Sequence, residues 1–145
     1  MVKKGQSYTY VLKGEPEALV LRRSDDVIGW SNHKERKLIT DISLESQHDN
    51  RPLLSGPLAV DVSFYFPVPR SIRAKIKANH GDWHSTKPSI SLLFNFIEHS
   101  AEKIIFADTG TIAKASYVKL YDREPRTVIT ITEMHGKKEN NPKEG

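Results

Sequence analysis

The side chains in this chain that could do chemistry are clustered cations and a few scattered carboxylates. Arg70-Ser71-Ile72-Arg73-Ala74-Lys75-Ile76-Lys77-Ala78-Asn79-His80 is the densest basic stretch, with Trp83 and His84 just beyond it and Lys87 closing the linker. Cations interleaved with an aromatic ring suit a nucleic-acid contact, because the charges neutralise phosphates and the ring can stack on a base. A solvated basic loop would carry the same residues. Arg22 and Arg23 end a short apolar run before a loop, where they read either as a phosphate contact or as solvated surface. Asp61 lies on the less apolar face of a strand, either solvated or lining a site. His80 and His84 are four residues apart, but Gly81 lies between them in a loop, which is poor spacing for zinc. With no cysteine in the chain, disulfides and thiolate metal sites are excluded.

The wider composition narrows the class only modestly. The 145 residues suggest one domain, large enough to bury a core without covalent staples. Twenty-two lysines and arginines against 18 acidic residues give a net charge of +4, which favours a polyanionic partner weakly. No apolar run is long enough to span a bilayer. Met1-Val2-Lys3-Lys4-Gly5-Gln6-Ser7 is basic but is followed by a strand pattern, where a signal peptide needs an apolar region. The expectation is a cytoplasmic protein.

These groups need elements to hold them. Tyr8–Gly14 reads as a strand ended by glycine, and Ala18–Arg23 as a second apolar run. Asp25–Ser31 reads as a turn and an edge element. Ser31 or Asn32 would cap a helix to about Gln47, with Leu38, Ile39, Ile42 and Leu44 as its buried stripe. Cations His33, Lys34, Arg36 and Lys37 crowd its first turns, against the helix dipole, which points to an outside partner or a solvated face. Leu58–Phe66 alternates strictly, with Leu58, Val60, Val62, Phe64 and Phe66 on one face, until Pro67 and Pro69 stop it. Ser89 or Ser91 caps a helix to about Lys103 with Leu92, Leu93, Phe96, Ile97 and Ala101 inward. Ala107–Thr111 is a turn. Ile112–Tyr121 is a strand with Lys114 and Lys119 outward, Asp122–Pro125 a hairpin-like turn, and Arg126–Met134 the last strand. Residues 1–134 form the domain, and 135–145 a charged, disordered tail.

Particular residues in that order carry a resemblance. They are Gly56-Pro57-Leu58, Phe64-Tyr65-Phe66-Pro67-Val68-Pro69, His84-Ser85-Thr86-Lys87-Pro88, Ile104-Ile105-Phe106-Ala107-Asp108 and Glu124-Pro125-Arg126-Thr127-Val128-Ile129. Together they resemble the RusA family of Holliday-junction resolvases over roughly residues 17–133, most strongly from about residue 52. The resemblance implies an α+β fold, a mixed β-sheet with helices packed on it. It also implies a homodimer that binds four-way DNA junctions and cuts them with magnesium, in DNA recombination and repair. The family's segment reads K-P-D-I-D-N-L-x-K, with two metal-binding aspartates and a lysine near the scissile phosphate. A later D-D pair gives the third carboxylate from its second residue.

This chain departs from that pattern at each catalytic position. Ser89 and Ser91 stand for the two aspartates, Leu92 for the asparagine, Asn95 for the lysine and Thr109 for the third carboxylate, while Asp108 remains. Hydroxyls are neutral, weak ligands, and a hard dication needs anionic oxygens. The leading expectation is therefore a catalytically degenerate relative that keeps junction binding through Arg22, Arg23, Arg70, Arg73, Lys75, Lys77 and Lys87. It would bind no metal cofactor. The first alternative is a non-enzymatic protein-interaction or regulatory dimer. The second is an active magnesium-dependent nuclease whose site is rebuilt from Asp61, Glu98 and Asp108.

Overall fold

The alternation of Leu58–Phe66 builds the centre of the molecule. This strand, β2, has Leu58, Val60, Val62, Phe64 and Phe66 all buried, and the intervening residues partly or fully exposed. The computed structural model describes residues 4–20, 27–69 and 81–134. Around β2 lie β1 (Lys4–Lys13), β3 (Ile112–Tyr121) and β4 (Arg126–Met134), in the order β1-β4-β2-β3. β2 pairs with β3 in parallel, while β4 is antiparallel to both β2 and β1. The sheet is mixed, and with α1 (Val27–His48) and α2 (Ile90–Ala101) the fold is α+β. No described helix is long and apolar enough to cross a membrane.

Both helices serve the same face of the sheet. Tyr10 and Leu12 of β1, Ile129 and Ile131 of β4 and the even-numbered residues of β2 meet Leu93, Phe96, Ile97 and Ala101 of α2 in one apolar core. Among the described side chains of α1, Leu44 is the apolar one that joins it. The opposite face is polar: Ser7 bonds Thr132 at 2.8 Å and Thr9 bonds Thr130 at 3.3 Å through their hydroxyls. Where β1 is an edge strand, the Gln47 side chain both accepts from Val11 N–H and donates to Val11 C=O, each at 2.8 Å. An amide group that occupies a backbone donor and acceptor blunts a sheet edge against further pairing.

Several expectations are corrected. α1 starts by Val27, so the stretch read as an edge element is partly helix, and Ser31 and Asn32 lie inside it. Leu38, Ile39 and Ile42 are 59%, 62% and 57% exposed; only Leu44 of that stripe is buried. Among the described side chains of α1, those that turn inward are instead His33, Leu44 and His48. His48 meets Tyr10 Oη through Nδ1 at 2.7 Å and Pro52 C=O through Nε2 at 3.0 Å, so both ring nitrogens are satisfied and a histidine can replace an aliphatic residue there. Residues 15–20 form no strand, and 21–23 lie outside the described residues. Asp122–Pro125 joins no hairpin, because β2 intervenes between β3 and β4. α2 ends at Ala101, with Lys103 at a positive φ of 70°.

Phe64 is fully buried on the central strand. Phe64→Ala should lower unfolding free energy by about 3–5 kcal/mol, read from denaturant melts, as expected for an aromatic cavity.

Candidate functional site

The segment carrying Lys87, Ser89 and Ser91 is held by one partly buried lysine. Lys119 Nζ donates to Thr86 C=O and to Pro88 C=O, at 2.5 and 2.6 Å. Burial holds its ammonium below the usual lysine range. The preceding segment lies along the outer edge of β3: Gly81 N–H donates to Tyr121 C=O, Tyr121 N–H to Asp82 C=O, and His84 N–H to Lys119 C=O. The His84 ring stacks on Phe66 with centroids 4.1 Å apart and meets Tyr121 at 5.0 Å. Burial and then the nearby Lys119 charge push His84 below the ordinary histidine range. Trp83 on this fixed edge points out, 72% exposed.

Beyond the clamp, Ser89 occupies the N-cap position of α2 in extended conformation, but its hydroxyl makes no capping bond. It bonds the Ser91 hydroxyl instead, at 2.9 Å, which corrects the expected capping role. Leu93 and Phe94 enter the core, with Phe94 stacked on Tyr117 at 4.5 Å, while Leu92 is partly buried. Ser91, Asn95, Glu98 and Glu102 follow at 3.6-residue spacing along a polar stripe of α2. Burial pushes the Glu98 carboxyl up from its ordinary value, with neighbouring Glu102 adding to the rise and His99 opposing it. Glu102 then accepts from Thr109 N–H at 3.3 Å, and Asp108 Oδ1 accepts from Gly110 N–H at 2.9 Å in the single 3-10 turn Thr109–Thr111.

One chain does not bring together Ser89, Ser91 and Thr109, the positions expected to stand for the family's carboxylates. Ser91 is near the start of α2, and Thr109 touches Glu102 just past its end; at about 1.5 Å per residue Ser91 and Glu102 are about 16 Å apart along the axis. The sheet gives the same answer. Lys119, near the end of β3, holds Pro88, whereas Thr109 precedes the start of β3 at Ile112. Asp61 is exposed on the polar face of β2, away from the helices, so it does not join Glu98. Among the described residues no group of three or more His, Asp or Glu side chains gathers as a metal site. Two hydroxyls bonded to each other, a threonine and an aspartate engaged with a turn N–H make a donor set that does not fit magnesium.

Of the cations named as DNA contacts, Lys87 is exposed beside the clamped loop. Arg22, Arg23, Arg70, Arg73, Lys75 and Lys77 lie outside the described residues, as does His80. Two residues escaped the sequence reading. Lys119 was expected outward with Lys114, yet five residues along a strand reverse the face, so strict alternation would have separated them. Glu102 carried no signal, since its partner is a backbone N–H seven residues on.

Residues 28–132 match the family model described as Endodeoxyribonuclease RusA. The chain is also similar to a protein of Bacillus subtilis (strain 168), Uncharacterized protein YqaN, at 29% identity over 94 residues. That match covers 61% of this chain and 66% of the relative.

Glu98 gives a pH signature. Its native carboxyl titrates above the unfolded value, so stability falls as pH rises from about 4.5 through the raised native value, and the deficit is complete above it. Glu98→Gln lacks that deficit. It should melt higher than the parent at pH 7 and equally near pH 4, a difference that calorimetry at the two pH values would read.

Proposed function

The chain belongs to the RusA endodeoxyribonuclease family, and from that premise we propose that it is a dimeric binder of branched DNA that has lost strand cleavage. The family relationship supports a Holliday-junction resolvase-like role in recombination and repair, with DNA as the partner. The observation that carries the loss of cleavage is the Ser89–Ser91 hydroxyl pair, standing where the family pattern has two aspartates. Neutral oxygens cannot concentrate a dication beside a phosphodiester, so the charge that develops in cleavage has no counter-ion. Removing the carboxylates also removes repulsion between the protein and the DNA backbone. Binding can therefore outlast catalysis.

Lys87 and the cations at 22, 23, 70, 73, 75 and 77 supply the phosphate contacts in this reading, and Lys119 fixes the loop that presents Lys87. A dimer suits a four-way junction, whose paired arms are themselves related by two-fold symmetry. A second reading, a protein-interaction dimer without DNA affinity, is favoured by the exposed aliphatic face of α1.

Gel shifts with labelled four-way junctions decide between these. The expected result is junction binding stronger than duplex binding, weakening steeply with salt, and no product in magnesium or manganese. Lys87→Ala should reduce the log–log salt slope by about 0.9, one phosphate contact. Negligible binding to any DNA would favour the interaction reading. Cleavage at enzyme excess, abolished by Asp108→Asn, would establish an active nuclease with a rebuilt site.

A further inference from the structure

The face of the sheet turned away from α1 and α2 is not uniform. At one end it is lined with the hydroxyls of Ser7, Thr9, Thr130 and Thr132. At the other end the register puts Leu120, Tyr65, Arg126 and Lys13 in one row across β3, β2, β4 and β1. Trp83 extends that row past the edge of the sheet. It stands opposite Leu120 in an antiparallel bridge, flanked by the Tyr121–Asp82 and His84–Lys119 backbone hydrogen bonds. Residues opposed between two such bonds have close side chains on one face. Alternation agrees: the His84 ring, one residue on, stacks on Phe66 and meets Tyr121 on the core side, which leaves Trp83 on the other. At about 4.8 Å per strand, the row runs about 19 Å from Trp83 to Lys13.

The chemistry of the row specifies its ligand. Among the described residues Trp83 is the most exposed large apolar side chain, yet the backbone on both sides of it is tied to β3. A ring held out on a fixed frame binds at little ordering cost. Two places along, the Arg126 guanidinium lies over the Tyr65 ring, 4.0 Å from its centroid, and an ion pair with Asp122 keeps it there. Its side chain stays partly exposed, a second flat group on which a base can stack. Lys13 is exposed at one end of the row, and Lys87 is exposed on the segment that continues from Trp83. Among the strand residues that the register places on this face, Lys13, Lys114 and Arg126 stand against one acid, Asp61. Flat groups between cations, on a face with excess positive charge, match bases joined by phosphates.

We propose that this end of the helix-free face binds unstacked bases of DNA. Trp83 stacks on one base, the Arg126 guanidinium over Tyr65 takes a second, and Lys13 and Lys87 meet phosphates at either end. This rests on the DNA-binding reading above and names the part of the DNA, besides its backbone, that the protein touches. Unstacked bases come from a single strand, or from the branch point of a junction, where the stack is interrupted.

Fluorescence anisotropy of the full chain with a labelled oligothymidylate strand and a labelled four-way junction tests it. Relaxed circular duplex, which has no ends, serves as competitor to give the duplex affinity, and circular dichroism is the folding control. Trp83→Leu should lose about tenfold in affinity for the strand and the junction, with the salt slope and the duplex affinity unchanged. The exposed position of the ring means that its loss spares the core. Trp83→Phe should recover most of the affinity, and Arg126→Lys, which keeps the charge but not the plane, should lose several-fold on the same two probes. A loss on the strand alone would assign the site to unpaired bases, and a loss on the junction alone to the branch point. Trp83→Leu protein that binds every probe like the wild type would overturn this site and leave DNA binding standing. An equal loss on circular duplex would overturn base stacking in favour of a backbone contact. A wild type that binds no DNA would overturn both readings and assign the exposed ring to a protein partner.

Discussion

Everything else in this fold depends on β2 having neighbours on both sides. Its inward side chains, Leu58 to Phe66, are buried only because β4 pairs along one edge and β3 along the other. Both neighbours come from the last quarter of the chain, so the sheet closes through long-range pairing. The parallel β2–β3 pair requires a crossover, and the chain makes it with the basic linker and α2. That requirement puts α2 on the sheet and leaves its polar stripe, from Ser91 to Glu102, as the surface on which the family's chemistry would lie.

The crossover segment around Ser89 and Ser91 is held by contacts that do not depend on the side chains at those two positions. Ser89 still starts α2, and its carbonyl accepts from Leu92 and Leu93 N–H. The loop before it is anchored by Lys119 through backbone carbonyls, which any side chain at 86 or 88 would present. No structural bond passes through a carboxylate at 89 or 91. Two hydroxyls within hydrogen-bond distance satisfy each other, where two carboxylates would repel without a cation between them. Glu102 and Asp108 accept from backbone N–H groups of the turn that leads into β3.

Much of the fold was legible in the sequence where local periodicity and burial agree. The β2 alternation, the inward Ile129 and Ile131 of β4, and the apolar stripe of α2 all follow from residue order. α1 was legible as a helix but not in its facing. His33 and His48 turn inward because Phe96, Tyr10 and the Pro52 carbonyl are there to meet them, and those partners come from other elements. The polar identity of a histidine says nothing about such partners in advance. The apparent β3–β4 hairpin failed for a related reason: a short turn permits pairing, but β2 competes for the same edges and wins with a larger buried face.

Residue order alone carried the family, β2, β4 and α2, and the residue types at 89, 91, 95 and 109, because these depend on which residues occur and in what order. Only the tertiary structure decided where those positions sit. It put Ser89 and Ser91 at one end of α2 and Thr109 at the other, turned Lys119 inward as the clamp on the motif loop, and left Leu38, Ile39 and Ile42 uncovered. The reason is physical. Type and spacing fix what a side chain can do locally, whereas burial and partnership are set by elements distant in sequence that compete for the same surface.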